Sequence, residues 1–140
     1  MAAVAYISMK KKLLIITQVV DTNHPILGFF HGWLAEFAGQ CETVHVIALE
    51  VGAHTLPSNV TVHSLGKEAG ESRLKYLWRF YRIIYMLRHD YDAVFVHMNQ
   101  VYVILGGLLW RLWGKRIGLW YAHGAVSTSL QVATMLTHIV

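Results

Sequence analysis

The segment AVFVHMNQVYVILGGLLWRLWGKRIGLWYA, residues 93–122, decides how this chain folds. It holds two short runs, AVFVH at 93–97 and RIGLWYA at 116–122, in which apolar side chains follow one another with little alternation. Such runs suit parallel strands covered on both faces, because a strand with one wet face would alternate. Between them VYVILGGLLWRLWG, residues 101–114, reads as a buried helix that stops at Gly114. Glycine is the usual helix terminator. MNQ, residues 98–100, remains as a tight loop. Strand, helix and strand of these lengths make a βαβ unit, whose strands run parallel.

The alternation extends upstream. LLIITQ (13–18), TVHVIALE (43–50) and VTVHSL (60–65) read as the first three strands, which makes AVFVH the fourth and RIGLWYA the fifth. After the first strand, VVDTNHP is a loop broken by Pro25, and ILGFFHGWLAEFAGQ (26–40) repeats Ile26, Phe29 or Phe30, Trp33, Leu34 and Phe37 at helical spacing. VGAHTLPSN, between the second and third strands, is a loop by its Gly, Pro, Ser and Asn, so that crossover is irregular. Ser72 is placed to cap a long helix, RLKYLWRFYRIIYMLRHD (73–90), and Ser127 or Thr128 to cap another at 127–140. The expected fold is α/β: a Rossmann-like, doubly wound parallel sheet of order 3-2-1-4-5 in three αβα layers. Residues 1–140 are read as one such domain. Because the helical pattern runs to Val140 without a cap, the chain is read as the first part of a larger protein.

Hydrophobic residues make up 55% of the chain and charged residues 14%. Either a membrane span or strands buried on both faces would account for this. The longest charge-free apolar stretch of helical pattern, 101–110, is far short of the ~20 residues that a spanning helix needs. The N-terminal Lys10, Lys11 and Lys12 read as a solvated lead-in to the first strand, since no small-residue cleavage site follows. Cys41 is the single cysteine, which rules out an internal disulfide and a cysteine-pair zinc site, and allows a reduced, cytoplasmic location. A net charge of +4, scattered along the chain, does not argue for nucleic acid. It is compatible with an anionic membrane surface or an anionic substrate.

Open parallel sheets bind ligands beyond the carboxyl ends of their strands, where the strand order reverses. Asp21, Asn23, His24 and Gly28 follow the first strand, His97, Asn99 and Gln100 the fourth, and His123 and Gly124 the fifth. These residues are the candidate ligand site, although His97 also reads as a polar cap on a buried strand. Gly124 lets the backbone turn sharply or approach a ligand closely. The His123 ring could donate a hydrogen bond to a sugar or phosphate oxygen. No Gly-x-Gly-x-x-Gly follows the first strand and no phosphate-binding Gly-x-x-x-x-Gly-Lys-Ser/Thr occurs, so a bound dinucleotide cofactor is not expected. The nine histidines show neither His-x-x-x-His nor His-Glu-x-x-His spacing, and no metal site is expected. On the long helix, Lys75, Arg79 and Arg82 fall on one stripe. They read either as the solvated edge of a core-packed helix or as a membrane-facing stripe.

Taken together, KKLLIITQ, then FFHGWLAEFAGQ, ETVHVIALE, YDAVFVH and KRIGLWYAHG resemble, in order and spacing, the N-terminal domain of GT-B-fold glycosyltransferases of the family 4-like type. The resemblance covers about residues 11–140. It implies two Rossmann-like domains facing across a cleft, with the acceptor site shaped mainly by this one. The nucleotide-sugar site, with basic residues and a Glu-x7-Glu-like pair, would lie in a second domain. The implied chemistry is transfer with retention of anomeric configuration, without a metal held by Asp-x-Asp and at the inner face of a membrane. His123 would lie near the transferred sugar, and Gly28 would match the glycine of the first loop, where the family often has a Gly-Gly pair. The implied partners are that second domain, or a chain supplying it, and a glycan or lipid-linked acceptor. Two other readings stay open: a non-catalytic module that binds a partner chain or membrane, and the N-terminal part of an α/β-hydrolase-like esterase. LWYAHGAVS resembles an oxyanion-loop segment of such esterases, but the sequence contains no Gly-x-Ser-x-Gly.

Overall fold

The computed structural model describes residues 11–98 and 100–120. The elements are β1 (Lys12–Val20), α1 (Phe30–Gln40), β2 (Thr43–Val51), β3 (Val60–Ser64), a 3-10 turn (Lys67–Ala69), α2 (Arg73–Met86), β4 (Ala93–His97), α3 (Val101–Leu112) and β5 (Arg116–Trp120). The strands form one sheet in the order β3-β2-β1-β4-β5, every pair parallel. Ile15, in the middle of β1, lies opposite Val46 on one side and Phe95 on the other.

The unalternating apolar strands are explained by what covers them. Leu13 and Ile15 point to a core shared with Phe30, Trp33, Leu34 and Phe37 of α1. Leu14 and Ile16 point the other way, to a core shared with Phe80 and Ile84 of α2 and Tyr102 and Trp110 of α3. Period-two geometry thus sends alternate β1 residues to two different cores, and both need apolar side chains. The result is three layers, α1 on one face and α2 with α3 on the other.

Local chemistry sets several boundaries. Ser72 Oγ accepts the Lys75 backbone N–H at 3.4 Å and starts α2. Gly114, at φ +71°, ends α3: its N–H donates to Arg111 O, and the Lys115 N–H donates to Trp110 O at 2.8 Å. Those two bonds around a left-handed glycine are the Schellman arrangement, which satisfies the last helical carbonyls. No helix joins β2 to β3. Asn59 ties the link down instead, its Nδ2 donating to Ala38 O at 2.8 Å and Cys41 O at 3.1 Å at the end of α1.

Other boundaries differ from the sequence expectation. β1 continues through Val19 and Val20, which pair with Glu50 and Val51, so the loop begins at Asp21. The first helix begins at Phe30 rather than Ile26, because residues 25–29 form turns. α2 ends at Met86 rather than near Asp90, since the chain turns back to bury Tyr91. The largest difference is α3, which is not a buried helix. It buries Tyr102, Gly106 and Trp110, whereas Ile104, Leu108 and Leu112 are 78%, 70% and 72% exposed. The expected helix at 127–140 lies outside the described residues. Among those described, no helix is long and apolar enough to cross a membrane.

Candidate functional site at the carboxyl edge of the sheet

β1 leads to α1 on one face of the sheet and β4 leads to α3 on the other, so the two exits part at the position where open parallel sheets carry their ligand crevice. Gln18, near the end of β1, spans the gap and donates from Nε2 to Met98 O at 3.2 Å. Met98 has φ +62°, a left-handed backbone for a side-chain-bearing residue, which costs about 1–2 kcal/mol. Strain of that kind gathers where a strand end is held for a purpose. Neither Gln18 nor Met98 stands out as a site residue by motif. The only signal is a polar residue closing an apolar run.

The loop after β1 is built by its own side chains. Asp21 Oδ1 accepts the Asn23 N–H at 2.9 Å, and the Asp21 carboxylate lies against Gly52, where a Cβ would overlap it. Thr22 N–H donates to Ala53 O at 2.9 Å and Gly52 N–H to Val20 O at 2.8 Å, so the exits of β1 and β2 are tied together. His24 Nδ1 accepts two backbone N–H groups, Ile26 at 3.2 Å and Leu27 at 2.9 Å. Gly28 fits because a Cβ there would come within 2.7 Å of His24 O and 3.0 Å of Thr22 O. The turn itself therefore accounts for this glycine. Two histidines outside the candidate set brace the same rim: His31 Nε2 accepts the Thr55 N–H at 3.0 Å, and His54 Nδ1 donates to Gly52 O at 3.0 Å.

These turns also occupy the entrance to α1. Phe30, His31 and Gly32, the first three helical residues, donate their N–H groups to Leu27 O, Gly28 O and Phe29 O. A dinucleotide site needs the opposite arrangement, with free N–H groups of that helix pointing at a pyrophosphate.

His97 does not line the crevice surface. It is 1% exposed, with Nδ1 3.1 Å from Thr17 Oγ1. Its ring stacks on Phe30 at 3.9 Å and meets the edges of Phe29 and Trp33. Burial pushes its pKa down to about 3, so the ring is neutral. Gln100 is exposed at the start of α3, and its side chain makes no capping bond. Asn99, His123 and Gly124 lie outside the described residues. The structure thus brings Asp21, Asn23, His24, Gly28 and Gln100 to one edge of the sheet and withdraws His97 beneath it. At the same edge, between the first turns of α2 and α3, lies a cavity of about 500 Å³ lined by Leu49, Arg73, Tyr76, Leu77, Tyr102 and Leu105.

The basic stripe on α2 is partly spoken for. Lys75 Nζ lies 3.0 Å from Glu71 Oε2, and Arg79 Nη2 lies 3.3 Å from Glu71 Oε1. The Lys75 hydrogen bond, helped by the Arg79 charge, holds the Glu71 carboxyl below its ordinary pKa. The Arg82 guanidinium sits 5.3 Å over the Trp78 ring. On the sheet, His45 Nδ1 and His63 Nε2 are 3.3 Å apart, and burial lowers both pKa values. Among the described residues no group of three or more His, Cys, Asp or Glu could hold a metal ion.

Fold and edge together define a class: a Rossmann-like α/β domain whose first helix begins with its N–H groups bonded to turn carbonyls. Comparison with protein-family models, with curated proteins and with solved structures finds no match to this chain.

Proposed function

We propose that this domain binds the acceptor in a retaining glycosyltransferase that moves a sugar from a nucleotide-sugar donor to a glycan or glycolipid. The resemblance of the strand and loop segments to family 4-like glycosyltransferases motivates the reading. The observation that carries it is the entrance of α1, whose first N–H groups are already bonded to turn carbonyls. The crevice therefore suits a neutral, hydroxyl-rich ligand read by side chains better than a diphosphate read by backbone. Gln18, Gln100 and the loop of Asp21, Asn23 and His24 offer donors and acceptors of that kind. The donor nucleotide would belong to a second domain or partner chain. On this reading residues 1–140 alone bind saccharide and turn over little or no nucleotide sugar. In the assembled enzyme, pre-organised hydrogen bonds there would stabilise the leaving diphosphate, and His123 would orient the sugar or its acceptor.

The test is an NMR titration of the chain with oligosaccharides and, separately, with uridine and guanosine diphosphate sugars. Saccharide shifts centred on Gln18, Gln100 and residues 21–28, with nucleotide sugars leaving those signals unmoved, are expected. Nucleotide-sugar shifts at the start of α1, or full turnover by the chain alone, would overturn the proposal. In the assembled enzyme, His123→Ala should lower transfer far more than stability. Equal losses would make His123 a structural residue.

A further inference from the structure

We propose that the outer face of α2 and α3 docks on an anionic lipid bilayer. The inference is independent of the reaction that the domain serves.

α3 carries two apolar stripes. Tyr102, Gly106 and Trp110 face the sheet, four residues apart. Ile104, Leu108 and Leu112 repeat the same spacing two residues out of step and are exposed. At about 100° per residue, two residues is about 200°, so the second stripe points directly away from the core. α2 does the same. Phe80 and Ile84 face inward, while Trp78 and Arg82 stand two residues out of step, flanked by exposed Leu74, Tyr85 and Met86. A neighbouring helix of the same layer covers a helix's flanks, not its outer face. Among the described residues nothing covers these two stripes.

Charge identifies the occupant. α2 and α3 contain Arg73, Lys75, Arg79, Arg82 and Arg111, and neither contains an Asp or Glu. Glu71 holds Lys75 and Arg79, and Arg73 stands seven residues from Phe80 on the sheet-facing side of α2, which leaves Arg82 and Arg111 as the cations of the outer face among the described residues. This moves the membrane-facing role away from two of the three residues on the Lys75–Arg79–Arg82 stripe. Two such faces would repel each other, which disfavours a second copy of the chain. Aliphatic side chains on one helix, with tryptophan, tyrosine and arginine on the other, match a headgroup boundary above acyl chains.

The full chain should co-sediment with phosphatidylcholine vesicles containing phosphatidylglycerol, bind pure phosphatidylcholine weakly, and be partly released by salt. Ile104→Ser with Leu108→Ser, and separately Arg82→Glu with Arg111→Glu, should each weaken binding about tenfold or more. Circular dichroism should stay native for both, because all four side chains point outward. Lys67→Glu with Arg116→Glu makes the same charge change elsewhere and should weaken binding much less. Brominated acyl chains should quench tryptophan emission, with most of the quenching lost in Trp78→Phe. The proposal fails if the mixed vesicles do not bind or the serine pair binds like wild type. It also fails if the Lys67 and Arg116 changes weaken binding as much as the face variants. A dimer abolished by the serine pair, or an acidic protein displacing lipid from an unchanged face, would likewise assign the surface to another partner.

Discussion

The His97 imidazole stacks on the Phe30 ring at 3.9 Å and 14°, with its Nδ1 held 3.1 Å from the Thr17 hydroxyl. A residue at the end of β4 is thereby locked into the first turn of α1, across the sheet from the helix that follows it in sequence. Because the ring is held neutral, this contact should make the fold acid-sensitive. Burial lowers the His97 pKa from its ordinary 6.5 to about 3. Between those values the unfolded chain binds the extra proton and the folded chain does not. This contribution is therefore fully present above pH 6.5 and lost as pH falls toward 3, at up to about 1.4 kcal/mol per unit. His45 and His63, also shifted downward, act in the same direction. Urea unfolding at a series of pH values should show the slope, and His97→Gln should flatten it. An unchanged slope in that variant would mean that His97 is not the responsible group.

Gly28 and Gly32 make opposite predictions a turn apart. A Cβ at Gly28 would press on His24 O at 2.7 Å and Thr22 O at 3.0 Å, and both are backbone atoms that can give way only by moving the loop. Gly28→Ala should cost about 1–3 kcal/mol. It should also disturb saccharide binding if the crevice reading holds. Gly32, inside α1, meets nothing within 4 Å. Gly32→Ala should stabilise by about 0.5–1 kcal/mol through helix propensity. Thermal unfolding of both variants decides the matter, and two shifts of the same sign would contradict the loop geometry.

The parts of this fold that sequence could reveal are those that local chemistry determines. Strand order followed from five apolar runs and the lengths between them. Ser72 and Gly114 announced their helix ends because a hydroxyl cap and a left-handed glycine act within a few residues. α3 was opaque for the opposite reason. With apolar residues nearly all round, its periodicity cannot say which stripe meets the sheet, and only the packing of Tyr102 and Trp110 decides. The start of α1 was hidden because His24 caps the turn before it, a job for which serine, threonine or asparagine is the recognised signal. His97 was ambiguous as a polar residue closing a buried strand. Phe30, far upstream in the chain, resolves it. Of the candidate site, the choice of edge was legible from topology, whereas the Gln18 to Met98 bridge depends on a backbone angle that no residue type forecasts.

Cys41 is buried, and burial pushes its thiol pKa up to about 11. Reagents attack the thiolate, so the native chain should react with a disulfide reagent at neutral pH far more slowly than the urea-unfolded chain. Cys41 packs in the α1 core, and Asn59 Nδ2 donates to its carbonyl. Asn59→Ala should therefore loosen this corner and speed labelling in proportion to the stability lost. Rapid labelling of the native wild type would place Cys41 outside the core.

A buried polar network lies under α2 and α3. Trp110 Nε1 donates to Tyr91 Oη at 3.1 Å, and Tyr91 Oη donates to Ile84 O at 3.0 Å. Lys115 Nζ adds a bond to Tyr91 O at 2.6 Å and lies 4.8 Å over the Tyr91 ring. Burial raises the Tyr91 pKa to about 12, despite the opposing Trp110 N–H, so the hydroxyl keeps its proton and can donate. Tyr91→Phe keeps the ring but takes away the partner of the buried Trp110 N–H. That penalty should be about 1–3 kcal/mol, against a few tenths for an exposed hydroxyl. Trp110→Phe leaves Tyr91 able to donate to Ile84 O, and should cost mainly its lost packing. In the double variant the hydrogen-bond contribution should be counted once, so the combined loss should fall short of the sum. Strict additivity in urea unfolding would show that the two side chains act separately and that the Trp110 to Tyr91 bond contributes nothing to the fold.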